Sequence, residues 1–145
     1  VEVGAFDPKD LEKLNATGMC KSCNLIRANL AGANLSNSDL NKVSLIGADL
    51  SKENLKGAIL NWAVLRMVSL RGSDLTDGKL IKVNFRKADL TGANLNRSNL
   101  SGAYLREANL TNANLSKVDL TGAILTGTVF CATIMPGGTT NNSGC

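Results

Sequence analysis

Cysteines are the residues of this 145-residue chain with the widest chemical repertoire, and they come in two pairs. Cys20 lies close to Cys23 near one end of the sequence, and Cys131 and Cys145 lie near the other. Thiols bind zinc, take part in redox reactions or form disulfides, according to their surroundings. Because the chain has no histidine, a zinc site would need all four thiols in one place.

Other groups that carry out catalysis do not form a recognisable set. Histidine is missing, and neither a glycine-rich phosphate loop nor a pair of carboxylates stands out in the sequence. Catalysis usually needs a base, a nucleophile or a metal held in a pocket. We therefore expect a protein that is not an enzyme, with no catalytic residue, no metal and no cofactor.

A five-residue repeat fills most of the chain. Every fifth residue from Leu25 to Phe130 is leucine or phenylalanine, which gives twenty-two consecutive positions without an insertion. The residue two places earlier is small, as at Ala28 and Ala93, with Glu53 as the plain exception. Turn formation explains the position in between, because Asn and Asp side chains hydrogen-bond the nearby backbone. The aspartates at that position are Asp39, Asp49, Asp74, Asp89 and Asp119.

A period of five fits neither regular secondary structure. On an α-helix it advances each leucine by roughly 140° per repeat and spreads the leucines around the cylinder. On a flat strand it sends successive leucines to opposite faces. A chain that turns a corner every five residues keeps every leucine and every small residue inside. Since four such corners close a square coil, the repeat predicts an all-β, quadrilateral solenoid.

The repeat also resembles a known family. Residues 28–35, ANLAGANL, and residues 88–95, ADLTGANL, are similar to the A(D/N)LXX motif of pentapeptide-repeat proteins. The resemblance covers about three quarters of the chain and implies a right-handed quadrilateral β-helix. With adjacent coils about 4.8 Å apart, some five and a half coils make a rod roughly 26 Å long.

The segments outside the repeat predict covers for the two ends of the rod. We divide the chain into an N-terminal segment at 1–22 with a capping helix, a solenoid at 23–132 and a tail at 133–145. The helix follows from Asp7, which suits an N-cap, and from Gly18, which suits the residue that ends a helix. A docking motif is the alternative interpretation of this helix.

The length of the rod restricts the cysteine pairing. The two ends lie roughly 26 Å apart, whereas the Cα atoms of a disulfide lie within about 7 Å of each other. This leaves the local pairs Cys20–Cys23 and Cys131–Cys145, of which the second would tie back the tail. The same distance disfavours a shared zinc site. Structural disulfides and reduced or redox-sensing thiols both remain open.

Both ends of the chain resemble those of exported pentapeptide-repeat proteins of cyanobacteria and chloroplasts. The similar segments are Cys20–Leu25, Met135–Gly138 and Asn142–Cys145, and the size and ends are most similar to plant thylakoid-lumenal members. The resemblance implies a mature chain of the chloroplast thylakoid lumen whose transit peptide has been removed. Disulfides suit such an oxidising compartment. The cyanobacterial periplasm or lumen is the alternative compartment. Residues 1–4 do not resemble a signal peptide, which is expected either if a leader has been removed or if the protein is cytosolic.

Outward-pointing side chains form two candidate features of an interaction surface. Residues twenty apart share a column, so Arg66, Arg86 and Arg106 form an arginine ladder, which either extends into water or binds an anion or a partner. We also predict that Lys42 and Lys82 pack on the two faces of the Trp62 ring. The coil at residues 58–77 carries four outward-pointing apolar residues, Ile59, Trp62, Val64 and Met67. They form either a docking patch or a set of isolated surface apolar residues, which are common in proteins.

Charge separates the classes of partner. The net charge of +4 argues against the DNA mimicry known in this family, in which an acidic rod occupies a type II topoisomerase. Nucleic-acid binding calls for a continuous basic stripe and stacking aromatics, and aromatic residues make up only 3% of the chain. No apolar stretch approaches the roughly 20 residues that cross a bilayer. We expect a monomeric structural or protein-interaction module with a protein partner, no nucleic acid and no membrane span. Regulation of an enzyme or an anionic partner through the surface is the alternative.

Overall fold

Residues 5–145 are described by a computed structural model of the chain, and most of them form a four-sided coil. Residues 1–4, which begin the expected N-terminal segment, lie outside the described residues. The residue before each repeat leucine pairs in parallel with the residue twenty positions later, from Met19–Asp39 to Asn114–Ile134. With four such bridges in each twenty residues, the structure confirms the square coil that the repeat predicts.

We number the four sides of the coil in the order in which the chain forms them. Side 1 is centred on Leu25 and every twentieth residue after it. Sides 2, 3 and 4 are centred on the columns that begin at Leu30, Leu35 and Leu40. The chain passes from side 4 of one coil to side 1 of the next, so these two sides share a corner.

Leucine and small residues fill the interior of the coil. Every repeat position from Leu25 to Leu115 is at most 3% exposed, and Phe85 is fully buried among them. Ala63, Ala93 and similar small residues lie beside the leucines and are equally buried. Burying one leucine contributes about 1.5–3 kcal/mol. A stack of them therefore provides a core in a chain with few aromatic residues.

Each corner of the coil is a β-turn that requires an unusual backbone conformation. The carbonyl of Leu25 accepts a hydrogen bond from Ala28 N at 3.0 Å, and the same bond recurs at later corners. The second residue after each repeat position has a positive φ, with values of 56° at Arg27, 61° at Trp62 and 70° at Gly92. A positive φ at the second central residue alone is the pattern of a type II turn.

The Asn and Asp side chains complete these turns. Five aspartates each accept a hydrogen bond from the backbone N–H two residues later, at 2.9–3.1 Å. This contact satisfies an N–H group at the corner that the ladder between coils does not use. The turn interpretation of Asp39, Asp49, Asp74, Asp89 and Asp119 is therefore confirmed.

A helix covers the N-terminal end of the coil. Helix α1 spans Pro8–Thr17, with Asp7 as N-cap and Gly18 as C-cap at a φ of 69°. Its residue Leu14 is only 2% exposed, and the carboxylate of Asp10 accepts a hydrogen bond from Asn24 N at 2.8 Å. The helix thus packs on the first coil and supplies an acceptor for its edge. No helix among residues 5–145 is long and apolar enough to span a membrane.

A short hairpin lies at the other end of the rod. Strand β1, Thr133–Ile134, pairs antiparallel with strand β2, Thr140–Asn141. Ile134 also pairs in parallel with Asn114, so β1 continues side 3 of the coil and β2 lies beyond it along the rod. A disulfide between Cys131 and Cys145, with Cα atoms 4.8 Å apart, holds the end of the tail against side 2.

Glu53 occupies an interior position where the repeat otherwise has a small residue. It is 3% exposed, and its Oε1 accepts a hydrogen bond from Gly32 N at 2.7 Å, while its buried Oε2 has no partner. At the other corners before the last coil, as at Arg27, this backbone N–H donates to the next coil instead. Removal from water raises the pKa of the Glu53 carboxyl, although the bond from Gly32 partly opposes this effect.

Candidate interaction surface

Trp62 lies at the corner between sides 4 and 1 and forms one wall of a surface groove. Its side chain is 59% exposed, and the groove beside it has a volume of about 220 Å³. The walls combine an aromatic face with cations and amides, a composition that suits a polar partner with an apolar anchor. The residues that line the groove are Lys21, Asn41, Lys42, Asn61, Trp62 and Ile81.

Only one of the two lysines expected on the indole lies over its ring. The Nζ of Lys82 is 6.0 Å from the ring centroid, which is within the range of a cation–π contact. Among residues 5–145 no second cation lies over this ring, and Lys42 instead lines the groove. The expectation of packing on both faces is therefore wrong for Lys42. Lys82 has room for its stem because Gly102, directly above it in the column, has no side chain.

The other three apolar residues of this patch differ in exposure. Met67 is 54% exposed at the corner between sides 1 and 2. Ile59 on side 4 and Val64 on side 1 are half-buried, because each lies in a paired position between the side chains of adjacent coils. The structure thus places Ile59, Trp62 and Val64 around the corner shared by sides 4 and 1, and Met67 at the next corner, between sides 1 and 2.

The arginine ladder lies on side 1 beside this patch. Val64, Asn84 and Tyr104 pair with one another in succession, so the arginines two positions later share one column. Within residues 5–145, neither Arg66, Arg86 nor Arg106 forms a salt bridge. A second groove, of about 210 Å³, lies between the first two arginines. Its lining residues are Arg66, Met67, Arg86 and Lys87.

Positive charge is concentrated on sides 4 and 1. The outward positions of these two neighbouring sides carry nine basic and three acidic residues, whereas sides 2 and 3 together carry five basic and four acidic residues. The net charge of the solenoid thus belongs mainly to one half of its circumference. The nine basic residues are Lys21, Lys42, Lys79 and Lys82 on side 4 and Arg27, Arg66, Arg86, Lys87 and Arg106 on side 1.

Ion pairs balance the charges on the opposite half of the rod. On side 3, Arg97 Nε lies 2.9 Å from Asp77 Oδ1, and this hydrogen bond lowers the pKa of the Asp77 carboxyl. On side 2, Arg71 lies 2.9 Å from Asp89. Partial burial raises the pKa of Asp89, but hydrogen bonds from Thr91 and Arg71 outweigh it and leave the pKa lowered. On the basic half, the one ion pair among the described residues is Lys87–Glu107, at a longer 3.9 Å.

The cysteines lie at the ends of the rod, away from this surface. Cys20 is bonded to Cys23, with Cα atoms 5.3 Å apart, and Cys131 is bonded to Cys145. All four thiols therefore form two local disulfides. In the part of the chain that the structure describes, no group of three or more His, Cys, Asp or Glu side chains is placed to hold a metal ion.

Some residues of the surface escaped the sequence analysis. Lys21, Asn41, Asn61 and Ile81 line the Trp62 groove, although only the neighbouring lysines had been considered. These four residues are twenty positions apart, so the twenty-residue period places them in a single column on side 4, next to the column of Trp62. The period therefore predicts that they lie beside Trp62.

Comparison with known proteins agrees with the coil and its repeat. Residues 19–95 match the family described as pentapeptide repeat region, and residues 88–127 match the family of pentapeptide repeats in eight copies. The chain belongs to the pentapeptide-repeat family. A search of curated protein sequences found no significant match.

Several solved structures of pentapeptide-repeat proteins are similar to this chain. HetL of the cyanobacterium Nostoc, described as involved in heterocyst differentiation regulation, is 36% identical over 85% of this chain, with a TM-score of 0.66, and the match spans 60% of HetL. A protein of the cyanobacterium Cyanothece is 31% identical over 83% of this chain and 97% of its own, with a TM-score of 0.77. A protein of the Arabidopsis thaliana thylakoid lumen is 28% identical over 66% of both chains, with a TM-score of 0.64.

Proposed function

We propose that the chain is a non-catalytic protein-interaction module that binds an acidic protein through sides 4 and 1 of its coil. The observation that carries this proposal is an exposed tryptophan, Trp62, in a groove edged by Lys21 and Lys42 next to the arginine ladder. Tryptophan and arginine are the side chains most enriched among the residues that dominate binding energy. An apolar anchor surrounded by polar groups is the usual anatomy of a protein interface.

Charge complementarity favours a partner with carboxylates. The guanidinium groups of Arg66, Arg86 and Arg106 repeat about every 4.8 Å along the rod, and a carboxylate accepts two hydrogen bonds from one guanidinium. Like charges at this spacing repel each other, so an acidic partner would relieve repulsion within the ladder as well as form new bonds. The balanced ion pairs of sides 2 and 3 offer no such gain.

The compartment that we propose is the thylakoid lumen of a chloroplast, with a cyanobacterial lumen or periplasm as the alternative. Support comes from the similarity to the Arabidopsis lumenal protein and to two cyanobacterial proteins. The disulfides Cys20–Cys23 and Cys131–Cys145 suit an oxidising compartment. We also infer the right-handed sense of the coil from membership of the family.

Affinity capture from thylakoid-lumen extract tests the proposal. Immobilised wild-type chain should retain a specific protein, and both Trp62→Ala and Arg86→Glu should lose it. Ile134→Ala and Lys117→Glu are matched controls, because they make comparable changes at exposed positions on side 3. Capture that is equal for all five proteins would reject sides 4 and 1 as the interface.

Kinetics with the captured protein would then test its acidic character. Steering by opposite charge acts mainly on the association rate and weakens with salt. Arg86→Glu should therefore slow association more than it speeds dissociation, and added salt should reduce the difference from wild type. Binding that is insensitive to both salt and Arg86→Glu would show that the partner does not use the basic half.

Regulation of an enzyme or an anionic partner is a second candidate function. It is favoured by the similarity to HetL, which is described as involved in the regulation of heterocyst differentiation. The same basic surface would serve it, with the partner's activity as the quantity that changes on binding. Measuring that activity with wild type and with Trp62→Ala would distinguish regulation from simple scaffolding.

A further inference from the structure

The last coil has an open edge on sides 4 and 1. In the preceding coils the N–H of each repeat leucine donates to the next coil, as from Leu100 to Asp119 O at 2.8 Å and from Leu105 to Ile124 O at 2.9 Å. The next N–H groups in these two columns belong to Leu120 and Leu125. Neither has a hydrogen-bond partner among residues 5–145.

The rest of the ladder at this edge is unpaired in the same way. Gly102 N donates to Thr121 O at 2.8 Å, but the equivalent groups of Gly122 and Gly127 have no acceptor within the described chain. The carbonyl of Ala103 accepts from Ile124 N, whereas the carbonyl of Ala123 accepts nothing. Donors and acceptors thus alternate along residues 118–127 in the arrangement that binds the next coil in the middle of the rod.

The interior beneath this edge is also partly uncovered. Leu120 and Leu125 are half-buried, although the repeat positions from Leu25 to Leu115 are at most 3% exposed. Ala123, a small residue of the same layer, is half-buried as well. One more layer of coil could therefore pair with the free backbone groups and cover the apolar side chains at this edge.

The tail of the chain shows that an extended segment can form this layer. On side 3, Ile134 N donates to Ala113 O at 3.0 Å, and Leu115 N donates to Ile134 O at 2.7 Å. The chain then turns back through Gly138, at a φ of 91°, and forms β2 instead of continuing along sides 4 and 1. The added layer stops halfway around the coil.

We propose that the open edge accepts an extended segment of another protein, which adds as a strand parallel to residues 118–127. Backbone hydrogen bonds would supply affinity, and alternate side chains would supply selectivity, as in other cases of strand addition. In most layers of the coil leucine stacks on leucine and small residues stack on small residues, with Phe85 and Glu53 as exceptions. The matching segment therefore carries a leucine every five residues, with a small residue two positions before each.

A second copy of the chain fits this edge less well. Its N-terminal end is covered by α1, whose residue Leu14 packs on the first coil. Its other end carries the hairpin, in which β2 lies beyond β1 along the rod. Two copies approaching with these ends would meet at their hairpins before their open sides meet.

The test uses a peptide with the sequence of residues 98–107, SNLSGAYLRE, which already lies against residues 118–127 on their other edge. Titrated into ¹⁵N-labelled full-length chain, the peptide should shift the amide resonances of Leu120, Gly122, Leu125 and Gly127 in a saturable way. Hydrogen exchange at the same amides should slow by about tenfold or more. Amides in mid-rod columns, such as that of Leu65, should not change.

Two control peptides separate strand addition from loose apolar binding. One carries aspartate in place of both leucines, and the other is N-methylated at the amides that would pair, and neither should produce the shifts. Shifts that are equal for all three peptides, or no shifts at all, would overturn the proposal. Protection of the four amides from exchange could instead increase with protein concentration in the absence of peptide. That result would show that a second copy occupies the edge, and it would also overturn the proposal.

Discussion

Trp62 combines a positive φ of 61° with an exposure of 59%, so its side chain neither fills the core nor completes a turn. We expect Trp62→Ala to change the free energy of unfolding by less than about 1 kcal/mol, since it removes surface contacts and one exposed cation–π contact. Urea unfolding followed by circular dichroism would measure this. A loss near the ~3 kcal/mol typical of a truncated core aromatic would mean that the indole supports the fold and would weaken the proposed function.

Glu53 makes the stability of the coil depend on pH. Its pKa is raised by burial in the folded state, so its contribution to stability is fully present below the pKa of the unfolded chain and is lost as pH rises through the folded-state pKa. The charged carboxylate is buried with Oε2 unpaired, whereas Ala removes that charge but also the acceptor of the Gly32 N–H. Glu53→Ala should therefore gain stability relative to wild type, by about 1 kcal/mol or more, as the pH rises from mildly acidic to neutral. Urea unfolding between neutral pH and mildly acidic pH should show this advantage shrinking as the pH falls.

A control separates the charge of Glu53 from its volume. Glu53→Gln keeps the size of the side chain and its acceptor for Gly32 but does not titrate, so its stability should lack this pH dependence. If wild type, Glu53→Gln and Glu53→Ala vary with pH in parallel, the carboxyl does not titrate differently in the folded chain.

At the level of single residues, the sequence predicts whether a side chain points inward or outward better than it predicts which side chains it contacts. Which positions point inward follows from the five-residue period, and Leu90 and Trp62 lie where that period puts them. Whether Lys42 or Lys82 lies over the indole depends on rotamers, and on the space above Gly102, which the period does not contain. The way in which Glu53 takes a hydrogen bond from Gly32 is equally a matter of local three-dimensional fit.

The turns are the elements on which the coil depends, and they impose a rule that the sequence analysis did not use. Every residue two places after a repeat position, from Ser22 to Ala132, has a positive φ. None of these residues is valine, isoleucine or threonine, the β-branched types for which a positive φ is a genuine outlier. This absence is a sequence signal for the turn type, alongside the leucine period that predicts the corners.

A substitution at Gly72 tests the conformational demand of a turn. Its φ is 66°, and the nearest atom to an added Cβ is the flexible Lys52 Cγ at 3.6 Å, so space does not limit the change. Gly72→Val should destabilise the chain by about 1–2 kcal/mol through backbone strain, measured by urea unfolding. Gly72→Asn should cost clearly less, because Asn tolerates a positive φ; equal losses would mean that the turn is not strained by a β-branched residue.

The tail is an element that a disulfide holds against the end of the coil. Cys145→Ser should release β2, because the bond to Cys131 anchors the end of the hairpin, while Ile134 stays paired with Asn114 in the coil. Hydrogen exchange should therefore speed up at Asn141 and stay slow at Leu90. Global unfolding of Cys145→Ser under the conditions in which wild type is folded would show that the tail supports the whole rod.

The whole molecule is a one-dimensional stack, in which each coil touches only its neighbours. Leu90→Asp should abolish folding, since an unpaired buried carboxylate costs several kcal/mol in the middle of the stack. Leu125→Asp, at the half-buried open end, should leave a folded rod. Far-UV circular dichroism would distinguish the two, and normal β structure in Leu90→Asp would contradict the interior assignment.

The twenty-residue period also governs how such a chain can change length. Adding a whole coil leaves every column intact, so the basic half simply grows longer. Adding a single pentapeptide between Arg66 and Arg86 would keep the core, because every leucine still points inward, but it would rotate all later residues by one side. Arg86 and Arg106 would move from side 1 to side 2 and the ladder would be split. Changes in length by multiples of five should therefore preserve the fold, whereas only multiples of twenty should also preserve the surface.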